Sequence, residues 1–507
     1  MTRVDASPDF LANALLRSPE SVALYFLDEA YTFRVVDELA STFASGLLQY
    51  GLAPGDRFAL LSPNHPVHMT AQLAACRSGA TLVPLNVRLT PGELGYIISD
   101  ADVGLLVAHE DCEELVEGLL ERSPQLTVWW VKRNDPHVGR VASGSFPTFA
   151  PLDPEAIATI LYTSGTTGRP KGAKISNRAH DARILAYAQG SSLRRGGVTL
   201  QVLPMFHIAA TYVFASVYLG GTSVILEAYD PQAVADTIER YGVTHTCLVP
   251  TMITDVVENC DHSKFATLET LLYGASPIDA GDLRRARAAL GCDFVNSFGQ
   301  TETGPVTFML GEDHDPDDPL RLTAAGKAAL AHEVKVLDDG GAVAPPGVVG
   351  EIVVRGPQVM SGYLGLPEAT SEALADGWLH TGDLGRIDDE NYLFVTDRLK
   401  DMVISGGENV YPREVEAVLV EHPGVREVAV IGVPHPRYVE TLHAIVVPEG
   451  GPTEEADLVE FCRAELAGYK VPRSWSYTDE LPRTATGKVI KTILRDDWLE
   501  QNTSGSG

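Results

Sequence analysis

The chain reads as an α/β protein with a smaller α+β domain toward its C-terminal end. Short β-branched runs alternate with amphipathic stretches over most of its length, the pattern of parallel sheets covered by helices. After about residue 397 the texture changes to a charged turn, a Gly-rich loop, and helix and strand signals sufficient for a domain of about 100 residues. The length of 507 residues allows two or more domains.

FRVVDELASTFASGLLQYG (33–51) places apolar residues at helical spacing and ends on Gly51, a natural C-cap. RFALLSPN (57–64) follows as a strand-like run, then VHMTAQLAACRSGA (67–80) as a helix. IATILYTSG (157–165) is an apolar strand entering a loop. GTSVILEA (221–228), PQAVADTIERYG (231–242) and THTCLVP (244–250) read as strand, helix, strand. Beyond the boundary, DRLKDMVISGGENV (397–410) reads as a charged turn and a Gly-rich loop. YPREVEAVLVEHPG (411–424) is then a helix, VREVAVIGV and ETLHAIVVP are strands, and EEADLVEFCRAELAGY (454–469) is a second helix. The expected layout is a domain over 1–397, a hinge at 398–400, a small domain over 401–500 and a Gly/Ser-rich disordered tail at 501–507. No repeat of fixed period appears.

Composition excludes several classes. A net charge of −29 argues against nucleic-acid or anionic-membrane binding, which needs a basic surface. The six scattered cysteines contain no Cys-x-x-Cys pair and fit a reducing cytosol better than a disulfide framework or zinc site. The start, MTRVDASPDF, lacks a signal-peptide layout, and no apolar run is long enough to span a bilayer. A cytoplasmic location is expected.

YTSGTTGRPKG (162–172) has no apolar face; it carries three glycines, five hydroxyl side chains and Lys171. Glycines let backbone N–H groups crowd toward an anion, so a phosphate is the natural guest. Thr163, Ser164, Thr166 and Thr167 add hydroxyl donors among Gly165 and Gly168, and Lys171 adds a charge. It is not a Walker A loop: Pro170 precedes the lysine and Gly172 follows it.

This loop resembles the phosphate loop of the acyl-adenylate-forming superfamily, which includes acyl-CoA synthetases, aryl-CoA ligases, peptide-synthetase adenylation domains and beetle luciferases. LPMFHIAA (203–210), LLYGASP (271–277), NSFGQTETG (296–304), GEIVVRGPQVMSGYLG (350–365), GWLHTGDLG (377–385), DRLKDMVISGGENVYPREVE (397–416) and LPRTATGKVIK (481–491) are similar to the family's remaining motifs, in order. The resemblance runs from about Ser18 to Asp497. It implies a large N-terminal domain of helix-covered parallel sheets with a β-barrel-like subdomain, followed by a small mobile C-terminal domain.

The resemblance further implies a reaction in which a carboxylate attacks the α-phosphorus of ATP and pyrophosphate leaves. Cations and donors must then surround the phosphates. Loop 163–171 would wrap the β- and γ-phosphates, and Glu302 with Ser164 would hold Mg²⁺. Asp383 would accept from both ribose hydroxyls, with Arg398 opposite. Phe298 would lie against adenine, with Gly274, Ala275, Ser276, Asn296, Ser297, Gly299 and Thr301 around it. Lys488 would bridge the attacking carboxylate and the α-phosphate; with Thr163, Glu302 and His207 it completes the expected catalytic set.

His207 occupies the place where α-amino-acid-activating relatives carry aspartate, so a plain carboxylic acid is the expected substrate. The acyl pocket would include Tyr187, His207, Ala209, Ala210, Gly274, Ser276, Pro277, Gly299 and Gln300. Rotation about Lys400 would withdraw Lys488 and present Ser405, Gly406, Gly407 and Glu408 to coenzyme A, with Tyr438 nearby. Many CoA-using relatives carry Trp-Gly-Glu where this chain has Tyr438, Val439 and Glu440, and Arg437, Lys470 and Arg473 are candidates for CoA by charge alone. The leading reading is an acid–CoA ligase with ATP, Mg²⁺ and CoA. The alternatives are transfer to an amine or carrier-protein thiol, a luciferase-like monooxygenase, and a non-catalytic nucleotide-binding module. A homodimer is compatible with the sequence; the identity of the acid is not legible in it.

Overall fold

The computed structural model describes residues 9–138, 149, 153–163, 170–274, 278, 280–315, 317–398, 401–405, 408–435, 439–451, 453–466, 468–483 and 489–503. The chain divides into two compact units, one of residues 1–334 with 354–380, the other of 335–353 with 381–507.

The first unit carries two large sheets. The nine-stranded sheet runs, in spatial order, Lys327–Ala328, Gly304–Met309, Asp293–Gln300, Thr270–Gly274, His245–Leu248, Val198–Gln201, Thr222–Ile225, Val22–Phe26 and Glu29–Thr32. Its middle is parallel and its edges antiparallel. The six-stranded sheet runs Thr127–Val131, Leu105–His109, Arg57–Leu61, Thr81–Leu85, Ile157–Thr163 and Lys171–Ser176, parallel except for the last pair. The helices read at 33–51, 67–80 and 231–242 form where expected, and two of them carry side-chain N-caps. Helix Phe33–Tyr50 starts on the Thr32 hydroxyl, which accepts from Val35 N, and ends on Gly51 at φ 102°. Helix Pro231–Tyr241 starts on Asp230 and ends on left-handed Gly242. Phe33, Leu24 and Val213 are fully buried in one apolar cluster, and Phe43 and Phe58 meet edge-to-face in another. Burying such a side chain contributes about 1.5–3 kcal/mol.

In the second unit the Leu379–Ile387 strand pairs antiparallel with Leu393–Arg398, within a four-stranded sheet that also contains Glu333–Leu337 and Gly350–Arg355. This sheet stands where a β-barrel-like subdomain was expected. The remaining sheet is built on the long hairpin of Val425–His435 and Val439–Pro448, with Ser474–Tyr477 added in parallel. Helices Pro412–Val420 and Glu455–Glu465 contribute Val415, Leu419 and Leu458 to its core.

The segment read as a charged turn and Gly-rich loop differs from expectation. Val403–Ser405 and Glu408–Val410 are short antiparallel strands, with Ser405 opposite Glu408. The reason is burial: Val403 and Val410 face each other, are both fully enclosed, and belong to the core of this unit. A Gly-Gly pair between short runs is itself a hairpin signal.

Candidate active site

Strand Asp293–Gln300 turns back into Gly304–Met309 with Gln300 opposite Gly304, which puts Thr301, Glu302 and Thr303 on the turn. Thr303 locks it from below: its hydroxyl accepts from Gln300 N at 2.8 Å and donates to Gly304 O at 2.8 Å. At Gly299 only glycine fits, because a Cβ would come within 2.1 Å of the Gly304 oxygen.

Glu302 is the centre of the described site. Its Oε1 accepts from the Tyr363 hydroxyl at 3.0 Å and from Thr163 Oγ1 at 3.4 Å. Thr163 stands opposite Lys171 in the antiparallel register, so these two residues are the lips of the phosphate-type loop. Lys171 Nζ lies 5.2 Å from the Tyr363 ring centre, within cation–π range. Burial, with the Glu302 charge beside it, pushes the Tyr363 hydroxyl well above its ordinary pKa, so it stays a donor. Thr163, Lys171 and Glu302 are thus brought together as expected. Ser164, Gly165, Thr166, Thr167 and Gly168 lie outside the described residues. Tyr363 was not singled out in the sequence, although GYLG was matched; its role emerges only from contacts 61 residues away.

His207 sits in the loop after strand Val198–Gln201. Asn64 braces that loop, donating to the Val202, Leu203 and Leu226 oxygens and accepting from Met205 N at 2.8 Å. The His207 ring tilts against Phe206 at 4.7 Å. Burial, assisted by the charge of Arg88, lowers its pKa to about 4, so it is neutral at physiological pH. It borders a small cavity that Ala210, Thr211, His180 and Arg183 also line. Ala209 immediately precedes helix Ala210–Tyr218. Tyr187 packs edge-to-face on Tyr212 and Phe308, at 5.9 and 5.8 Å, and hydrogen-bonds Ser297. Gly274 pairs with Ser297, whose oxygen a Cβ there would meet at 2.3 Å. Tyr187, Gly274 and Ser297 are therefore neighbours, half-buried like Phe298. Asn296 donates to Ala324 O at 3.3 Å. Ala275, Ser276 and Pro277 lie outside the described residues.

In the second unit Asp383 is 4% exposed and opposes Arg398 across its sheet. Its N–H donates to Thr381 Oγ1 at 3.0 Å, and that hydroxyl donates to Ile352 O at 2.7 Å. Neighbouring Asp397 accepts from Arg413 N at 2.9 Å. Lys470, a candidate for CoA by charge, is instead paired with Glu414 at 2.5 Å. Glu440 faces Arg495 at 3.8 Å. Ser405 and Glu408 close the short hairpin. Lys400, Gly406, Gly407, Arg437, Tyr438 and Lys488 lie outside the described residues.

A phosphate-type loop with a carboxylate, a lysine and a tyrosine at its mouth, on an α/β scaffold, defines a nucleotide-activating ligase class. The chain belongs to the AMP-binding enzyme family: the family model matches residues 11–364, and the AMP-binding enzyme C-terminal domain matches 414–488. It is 37% identical over 488 residues to a feruloyl-CoA synthase of Amycolatopsis, covering 94% of this chain and 96% of that protein. The o-succinylbenzoate CoA synthetase MenE of Bacillus subtilis, solved with ATP and magnesium, superposes with a TM-score of 0.85 at 30% identity, covering 97% and 99%. The amide bond synthetase McbA of Marinactinospora thermotolerans superposes with a TM-score of 0.87 at 30% identity, covering 97% and 100%.

Proposed function

We infer that this chain is an ATP-dependent carboxylic acid–CoA ligase. It forms an acyl-AMP with loss of pyrophosphate, then transfers the acyl group to the CoA thiol with loss of AMP. The observation that carries this reading is the convergence of Glu302, Thr163, Tyr363 and Lys171 at the mouth of YTSGTTGRPKG. No group of three or more metal-ligating side chains converges among the described residues. A lone carboxylate beside a phosphate loop suits Mg²⁺, which keeps waters and phosphate oxygens as its other ligands. Glu302 and Ser164 would hold that ion, which supplies neutralising charge at the phosphates when bound.

The chain's own residues divide the remaining work. Lys171 and the hydroxyls of Thr163, Ser164, Thr166 and Thr167 bind the outer phosphates. Asp383 and Arg398 take the ribose, and Phe298 lies against adenine. Lys488 approaches the attacking carboxylate and α-phosphate, stabilising charge that grows in the transition state. Neutral His207 borders the substrate carboxylate without competing for it as a cation. The domain after Lys400 rotates so that residues 405–408 replace Lys488 at the site. In the second step the thiol sulfur bonds to the acyl carbon and the acyl–phosphate bond breaks, releasing AMP.

Aryl-propenoic acids such as ferulic acid head the substrate panel, because the feruloyl-CoA synthase is a relative. No helix among the described residues is long and apolar enough to cross a membrane, and a cytoplasmic enzyme is the corresponding proposal. The test is purified protein with ATP, Mg²⁺, CoA and an acid panel, read by pyrophosphate release and product mass. Pyrophosphate release with no acyl-CoA from any acid would overturn the acceptor. Transfer to an amine is the second reading, favoured by the likeness to McbA and by Val439 in place of glycine. Competition between CoA and amines at matched concentration separates the two.

A further inference from the structure

Arg183, on helix Asn177–Gly190, is 1% exposed and has no part in the chemistry set out above. A guanidinium withdrawn from water needs compensation from its neighbours. Among the described residues no carboxylate bonds to it; its partners are main-chain oxygens. Nε donates to Gln358 O at 2.9 Å, and Nη2 donates to Thr301 O at 3.0 Å and, more distantly, to Glu302 O at 3.5 Å. One side chain thereby ties the helix, the turn bearing Glu302, and the loop after strand Gly350–Arg355. The loop adds its own tie, since Met360 N donates to Glu302 O at 2.9 Å. Gly304, at φ +67°, makes room: a Cβ there would stand 2.9 Å from the Arg183 side chain. Burial lowers the Arg183 pKa to about 10, which leaves it charged at neutral pH.

We propose that Arg183 is a positioning residue for adenylation: by holding the main chain of Thr301 and Glu302 it fixes where the Glu302 carboxylate meets magnesium and the nucleotide phosphates. This rests on the assignment of Glu302 to the magnesium site. A general brace for the fold would act on every step alike, whereas a positioning residue acts where the carboxylate meets the metal.

The test compares Arg183→Met, which keeps much of the stem and removes the donors, with Arg183→Lys, which restores charge and a donor. Glu302→Gln runs alongside. Binding of α,β-methylene-ATP is measured by calorimetry with magnesium and again in EDTA, with melting temperatures for each variant. Arg183→Met is expected to weaken binding in magnesium by about 10-fold, the scale of one charge-assisted hydrogen bond. Binding in EDTA changes little, and Arg183→Lys recovers part of the loss. Thioester formation from supplied acyl-AMP stays near the parent rate.

Equal weakening with and without magnesium, or no weakening in either, overturns the inference. If Arg183→Met does not fold, Arg183→Lys carries the same comparison of the two conditions. Glu302→Gln without effect in magnesium overturns the Glu302 assignment and this inference with it. Glu302→Gln sensitive and Arg183→Met insensitive overturns the inference alone.

Discussion

Glu302 and Asp383 each present one carboxylate from a β-strand turn or strand, one in each compact unit, yet their surroundings differ. Glu302 is half-buried and meets two neutral hydroxyls at Oε1, while its Oε2 carries no hydrogen bond among the described residues. Asp383 is 4% exposed, set in a paired strand, and fixed through its own N–H on the Thr381 hydroxyl. A carboxylate oriented by neutral donors, with one oxygen left over, suits a cation. One seated rigidly in a sheet offers fixed acceptor geometry and suits neutral hydroxyls. On the proposed reading, the same side-chain chemistry serves two roles that differ by environment.

Predictions that break or sharpen this contrast range from large to small. Lys488→Ala removes the charge that neither carboxylate can supply, so adenylation should fall by at least about 10²-fold, as for a lost transition-state donor. Thioester formation from supplied acyl-AMP should survive; equal loss in both assays would defeat the division of the reaction between two conformations. Glu302→Gln should lower adenylation by roughly 10²-fold, about 2.7 kcal/mol of transition-state stabilisation, and raise the magnesium needed for half-maximal pyrophosphate release. Asp383→Asn should instead raise the KM for ATP by about 10-fold, the worth of a hydrogen bond to a charged group, with the magnesium requirement unchanged. Identical kinetic signatures for the two variants would erase the contrast.

Tyr363→Phe should cost adenylation about 10-fold, the lower end for a hydrogen bond to a charged group; a steady-state comparison with the parent checks it.

The last prediction concerns pH and stability, with no change expected in the adenylation chemistry itself. Burial holds His65 and His180 near about 3, and His68, His207, His314 and His443 near about 4. Unfolded, each would titrate near about 6.5. The unfolded chain therefore binds more protons between these values, and this contribution to stability, complete above pH 6.5, is lost as pH falls toward 4. Melting temperatures should drop between pH 7 and pH 5, while His207, still neutral there, leaves adenylation without its own ionisation limb. A melting temperature independent of pH across that interval would contradict the buried neutral histidines.

Local signals made much of this molecule legible. Thr32 and Gly51, and Asp230 with Gly242, cap their helices as their residue types dictate, because a cap depends on neighbours within one turn. Glu302, Thr163, Lys171 and Asp383 stand out as candidates because each sits in a contiguous stretch that resembles a family motif. The 403–410 segment was misread because its polar and glycine residues hide two valines that a distant core encloses.

What the sequence determined by itself is which chemical groups are present and which short stretches carry them: a loop of hydroxyls and glycines, a carboxylate on a tight turn, an acid in a Thr-Gly-Asp stretch. What only the tertiary structure decided is which groups act on one another. Tyr363 reaches Glu302 across 61 positions, and Arg183 reaches Thr301 across 118. Those pairings carry no local signature, since a tyrosine in a loop and an arginine on a helix are ordinary surface residues until packing buries them. Desolvation then makes each hydrogen bond costly to lose, and such bonds hold segments remote in sequence against one another.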